Sequence, residues 1–120
     1  MNVKTFTSPE GYKILVGMDD KSNDKLSLKE AAQNDLWFHV SGFPGSHVVL
    51  KCGNDKPGKE SIEAAAALAA WYSKMRNGGR VSVSYCPAKN VSKPRGVKAG
   101  TVNIKGEKTV KVKPGLLEEN

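Results

Sequence analysis

Lys59-Glu60-Ser61-Ile62-Glu63-Ala64-Ala65-Ala66-Ala67-Leu68-Ala69-Ala70-Trp71-Tyr72-Ser73-Lys74-Met75-Arg76 carries its apolar side chains at helical spacing. Ile62, Ala65, Ala66, Ala69 and Tyr72 fall along one line, with Leu68, Trp71 and Met75 beside it. The spacing predicts one long helix over roughly 59–76, stopped by Asn77-Gly78-Gly79, residues that tolerate left-handed backbone. So many alanines suit a helix lying close on a sheet, because short side chains allow near approach. The flanking segments must then supply the strands.

Upstream, Tyr12-Lys13-Ile14-Leu15-Val16 reads as a strand between the turn residues Pro9-Glu10-Gly11 and Gly17. Leu36 to Val40 and His47 to Cys52 read as two more, joined as a hairpin through Phe43-Pro44-Gly45-Ser46. After the first strand Asp19 to Asp24 forms a polar loop. Ser27-Leu28-Lys29-Glu30 then fits a capping box, whose hydroxyl and carboxylate satisfy free backbone N–H groups at the start of a short helix ending near Asn34. Downstream, Val81, Val83 and Tyr85 alternate with serines, as in a strand with one buried face. Thr101 to Ile104 and Thr109 to Val112 are expected to pair as a hairpin around Lys105-Gly106-Glu107-Lys108. Strands around two helices argue an α+β fold: a mixed or antiparallel sheet with one long Ala-rich helix and one short helix packed on it.

The 120 residues, 38% hydrophobic and 26% charged, fit a single domain over 1–120 with its core at about 8–114, and exclude wholesale disorder. No apolar run approaches the roughly 18 residues of a membrane span. Met1 to Thr7 has no hydrophobic signal core, so the expected compartment is the cytoplasm and no membrane partner is expected. Cys52 and Cys86 form no CxxC pair and no zinc spacing with His39 and His47. Both read as small, reduced, buried thiols.

The charge is uneven. Nineteen Lys and Arg against twelve Asp and Glu give a net charge of +7. The segment from Arg80 to Pro114 alone holds nine basic residues and one acid, which leaves the rest of the chain at −1. A neutral body with a basic third points to a polyanionic partner. The loop Lys89 to Gly100 presents Lys89, Lys93, Arg95 and Lys98, stiffened by Pro94 and opened by glycines that let backbone N–H groups approach a ligand. Lys111 and Lys113 share a face opposite Val110 and Val112. Such cations grip phosphates without reading sequence.

Asp35-Leu36-Trp37-Phe38-His39-Val40 is the sharpest local pattern. Alternation on a strand turns Leu36, Phe38 and Val40 to the core and places Asp35, Trp37 and His39 together on the other face. A carboxylate, an indole and an imidazole in one row suit stacking on a base and hydrogen bonding to it. The same row equally suits a Trp37 packed under a helix, with Asp35 and His39 in an internal hydrogen bond. His47 opens the next strand near His39. Asp35, His39 and His47 together would also serve a metal-dependent or acid–base enzyme acting on RNA or a nucleotide. No Gly-x-Ser-x-Gly elbow and no Walker-type phosphate loop occurs, and neither Cys stands in a nucleophile motif.

Several spaced motifs resemble one family in order. They are Gly11-Tyr12-Lys13-Ile14-Leu15-Val16-Gly17, Asn23-Asp24-Lys25-Leu26, Asp35 to Val40, Pro44-Gly45-Ser46-His47-Val48-Val49, Ala64 to Ser73, Val91-Ser92-Lys93-Pro94 and Gly100-Thr101-Val102. Together they resemble the NFACT-R domain over roughly Ser8 to Pro114. The resemblance implies a non-enzymatic RNA-binding domain without a cofactor. It implies contact with tRNA or large-subunit rRNA, and with the large ribosomal subunit, in quality control of stalled translation. It also implies that Asp35, Trp37, His39, His47, Lys93 and Arg95 touch RNA. A protein-binding module docking on a ribosomal factor is a further alternative. The sequence lacks the N-terminal domain, helix-hairpin-helix segment and long coiled coil of the full-length family. Met1 and the short ends lead us to expect a stand-alone protein.

Overall fold

Phe6, Ile14, Val16, Phe38, Val40 and Val83 recur at alternate positions of extended segments, and antiparallel pairing turns them all to one face. A computed structural model describes residues 1–120. Its elements are β1 (Val3–Thr7), β2 (Lys13–Gly17), α1 (Asp20–Lys25), β3 (Leu36–Val40), β4 (Val48–Lys51), α2 (Lys59–Trp71), β5 (Val81–Pro87), β6 (Val91–Ser92), β7 (Asn103–Ile104) and β8 (Lys108–Val112). Six strands form one antiparallel sheet in the order β1-β2-β4-β3-β5-β8, and β6 pairs with β7 apart from it. The fold is α+β.

Helix α2 lies on the apolar face with Ala65, Ala66, Leu68, Ala69 and Ala70 fully buried. The alanines bring the helix axis close to the sheet, as their size predicts. The helix ends at Trp71, not near Arg76. There the chain turns to pair with the β3–β4 turn: Ser46 N–H donates to the Tyr72 carbonyl at 2.9 Å and Lys74 N–H to the Pro44 carbonyl at 3.0 Å. Gly45 makes this possible, because a Cβ there would meet the Ser73 side chain at 2.7 Å. Arg76 folds back over the Trp71 ring, 4.5 Å from its centroid.

Four further sequence expectations change. Val3–Thr7, not expected as a strand, forms the sheet edge, where the chain's last residue donates from Asn120 N–H to the Thr5 carbonyl at 2.9 Å. The polar stretch after Asp19 is helix α1, capped by the Asp19 carboxylate accepting from Ser22 N–H. Ser27–Glu30 is therefore a π-type turn at the end of that helix, not the start of another. Finally, β7 and β8 do not pair with each other. Val102 and Ile104 pack on a second cluster with Trp37, whereas Val110 and Val112 belong to the main core. Strand β8 therefore joins the sheet edge with its valines in the main core, whereas β7 lies over the Trp37 cluster.

Candidate nucleic-acid interface

The second face of the sheet divides in two. Around Trp37 it is covered: Leu26, Trp37, Val49, Cys86 and Val91 form a small buried cluster, roofed by the turn after α1 and by β6 and β7. Beyond Trp37 it is open and polar. Cross-strand pairing aligns His39 with Ser84 and Thr109, and Ser82 with Lys111. Ser41 joins this row through its hydroxyl, 2.7 Å from that of Ser84. The Val-Ser alternation of β5 thus writes a hydroxyl-rich platform, and Ser41, Ser82, Ser84 and Thr109 are site candidates that the reading for charge passed over.

A cleft of about 490 Å³ opens where the two halves meet, lined by Asp20, Asn23, His39, His47 and the segment Lys98 to Val102. Three rings form its inner wall. Trp37 and His39 stack with centroids 6.0 Å apart, and His47 stands edge-on to both at 5.2 and 5.5 Å. The hydrogen bonds fix their chemistry. Trp37 Nε1–H donates to Ser27 Oγ at 2.8 Å, so the Ser27 proton is free to go to His47 Nδ1, also at 2.8 Å. A Ser27 hydroxyl donating to Nδ1 matches a neutral His47 with its proton on Nε2. Burial first, and the neighbouring His39 second, push the His47 imidazole down to about 4. Burial likewise holds His39 below its ordinary value.

Asn23 lines this cleft and Asp24 holds its Gly100 wall, which gives the Asn23-Asp24 motif a structural role. Asn23 Oδ1 accepts from His47 N–H at 3.0 Å. Asp24 accepts from Gly100 N–H at 3.1 Å and pairs with the Lys93 ammonium at 3.2 Å. The Lys93 ammonium also donates to the carbonyls of Lys98 at 2.7 Å and Thr101 at 3.0 Å. Lys93 is a latch that closes the basic loop on α1, and its donors are already engaged within the protein. Lys93→Ala is expected to lower stability by about 1–2 kcal/mol in urea unfolding and to speed exchange of the Gly100 amide. Arg95→Ala, on an exposed residue without a partner, should move neither.

The remaining expected residues separate. Asp35 does not join the ring row: alternation starts at Leu36, and Asp35 lies before the strand, 1% exposed. Its oxygens accept from Ala32 N–H at 2.8 Å and Gly53 N–H at 2.7 Å and pair with Lys51 at 2.7 Å. It ties two turns together. Trp37 is only 2% exposed. His39 is the half-buried ring of the three. Arg95 and Lys98 are exposed on the loop, and Lys111 and Lys113 are exposed on and just after β8, on the open side. Lys89 is exposed at the other end of the cover, where its N–H donates to the Gln33 carbonyl. Phe43, 47% exposed in the β3–β4 turn beside cleft-lining Pro44, is an aromatic that the turn assignment had set aside.

No three His, Cys, Asp or Glu side chains gather as a metal-ligand set, and Asp35 is not grouped with the two histidines. Cys52 and Cys86 are free, buried thiols, and burial pushes Cys86 up to about 11. No helix is long and apolar enough to cross a membrane.

Comparison with known proteins gives a consistent result. Two bacterial proteins named Rqc2 homolog RqcH align with most of the chain. The one from Bacillus subtilis is 38% identical over 112 residues, covering 93% of this chain and 19% of that protein. The one from Streptococcus suis is 45% identical over 101 residues, covering 84% of this chain and 18% of that protein. The chain thus spans about a fifth of the length of these relatives. Among solved structures, the C-terminal part of the fibronectin/fibrinogen-binding protein from Streptococcus suis superposes with a TM-score of 0.91 at 40% identity, covering 96% of this chain and 46% of that one. The family model described as the NFACT protein RNA binding domain matches residues 2–106, and with a sheet, a cleft and a basic loop built from its motifs the chain belongs to that family.

Proposed function

We propose that this chain binds RNA, without catalysis, in ribosome-associated quality control in the cytoplasm, and that tRNA or large-subunit rRNA is the RNA contacted. The supporting observation is the meeting of unpartnered cations with the open hydroxyl face. Lys98 lines the ring-lined cleft, Arg95 is exposed on the same loop, and Lys111 stands beside Ser82 on the open face of the sheet. Cations hold phosphates, and hydroxyls and a neutral imidazole suit the sugar 2′-OH and base edges that RNA displays. His39, flanked by the buried Trp37, is the ring placed to touch RNA. His47 and Trp37 act by fixing its position, and Lys89 and Lys113 extend the phosphate track. Asp35 and Lys93 serve the site by holding its frame.

The test is the salt dependence of binding to tRNA and to a single-stranded RNA. Arg95→Glu with Lys98→Glu should weaken binding at low salt and flatten the log–log slope by about 0.7 for each phosphate of a single strand that is no longer neutralised. An unchanged slope in a folded double variant would overturn the assignment of this loop.

A further inference from the structure

Asp20 is out of place in a phosphate-binding surface. Its side chain is exposed, no N–H or cation of the protein engages it, and it lines the same cleft as His39 and Lys98. It lies against the loop: a Cβ on Gly100 would lie 2.8 Å from Asp20 Oδ1, so the carboxylate sits beside the Gly100 backbone. Gly100 itself is held by Asp24 and has a φ of +88°, a conformation that favours glycine. A carboxylate among cations repels phosphate. Its use in such a cleft is at the edge of a base.

We infer that the cleft takes an unpaired guanine, with Asp20 accepting from its Watson–Crick edge and His39 as the ring it stacks on. The inference rests on the RNA-binding reading above and adds the identity of the base. A carboxylate has two acceptor oxygens and no donor. Guanine alone among the four bases offers two adjacent N–H donors, N1–H and the N2 amine. Adenine and cytosine each set a ring nitrogen acceptor beside their amine, and uracil sets carbonyls on both sides of its N–H, so each turns a lone pair toward the carboxylate. The neutral state of His39 leaves its ring a flat, uncharged stacking surface. A volume of about 490 Å³ admits a base with its sugar.

The experiment compares short oligouridines carrying one central guanosine, adenosine or inosine, measured by fluorescence anisotropy at fixed salt. The guanosine oligomer should bind about tenfold or more tighter than the adenosine one, the span of one good bidentate pair. Inosine, which lacks the N2 amine, should lose most of that gain. Asp20→Asn, on an exposed and unpartnered side chain, should abolish the preference with the protein still folded, whereas Lys98→Glu should weaken all three oligomers alike. Equal binding of the three oligomers, or a guanosine preference that survives Asp20→Asn, would overturn the inference and leave RNA binding intact. Failure of every oligomer to bind while tRNA still binds would overturn the guanine site alone, and failure of tRNA as well would overturn the RNA reading itself.

Discussion

Trp37→Ala should remove about 3–5 kcal/mol of folding stability, a large share of what a domain of this size has. The indole is 2% exposed, between Val49 and Cys86 on the sheet and Leu26 and Val91 in the cover. Its deletion leaves a cavity that those side chains cannot all close. It also strips Ser27 of its donor, which loosens the hold of Ser27 on His47. Trp37→Phe keeps most of the apolar volume but loses the N–H and part of the fused ring, so its stability should fall between the two. Urea unfolding of the three proteins measures this order. RNA affinity of the Ala variant should fall mainly because the cover over β3 loosens, and the loop with Arg95 and Lys98 loosens with it. A Trp37→Ala protein that unfolded at the wild-type urea concentration yet lost RNA binding would return the ring to direct stacking.

Sequence legibility followed the kind of force that shapes each element. Helix α2 and the β3–β4 hairpin are set by burial of periodic apolar residues; the hairpin stands where the spacing put it, and α2 starts at Lys59 as expected but stops at Trp71, before the end of the apolar pattern. The hairpin register extends to place His39 opposite His47, so their neighbourhood was readable from the turn between them. Helix α1 was not. Asp20-Lys21-Ser22-Asn23-Asp24-Lys25 has no apolar stripe, and its buried residues are Ser22 and Asn23. It is held by polar bonds to distant residues: Asn2 N–H to Ser22 Oγ at 2.7 Å and His47 N–H to Asn23 Oδ1 at 3.0 Å. Such partners have no periodicity to read. Strand β1 has the same difficulty, since Phe6 is its one fully buried side chain. Charge was legible in sum but not in use. Lys93 and Arg95 look alike in sequence, and only the fold shows that one ammonium already serves Asp24 and two carbonyls.

The pH dependence of stability should be set in large part by His47. In the unfolded chain this imidazole titrates near its ordinary 6.5, and in the folded protein it does so only at about 4. Between those values the unfolded chain holds a proton that the folded one refuses. The contribution of the neutral ring is therefore fully present above pH 6.5 and is lost as pH falls toward 4. Below that both states are protonated and the loss stops growing. The window corresponds to a loss on the order of 3 kcal/mol. His39, also held down by burial, adds to it in the same direction, while the Asp24 carboxylate near His47 opposes it weakly. Protonation at Nδ1 would also set two donors face to face, since Ser27 already points its proton there while accepting from Trp37. His47→Asn, whose side-chain oxygen can accept from Ser27 without titrating, isolates the effect. Urea unfolding from about pH 7.5 to about pH 4.5 should show the wild type losing stability more steeply than His47→Asn, with the curves converging in slope above the ordinary imidazole value. Parallel curves across the whole range would mean that the ring takes its proton in the folded state, and with it that the Trp37–Ser27–His47 chain does not hold the cleft wall neutral.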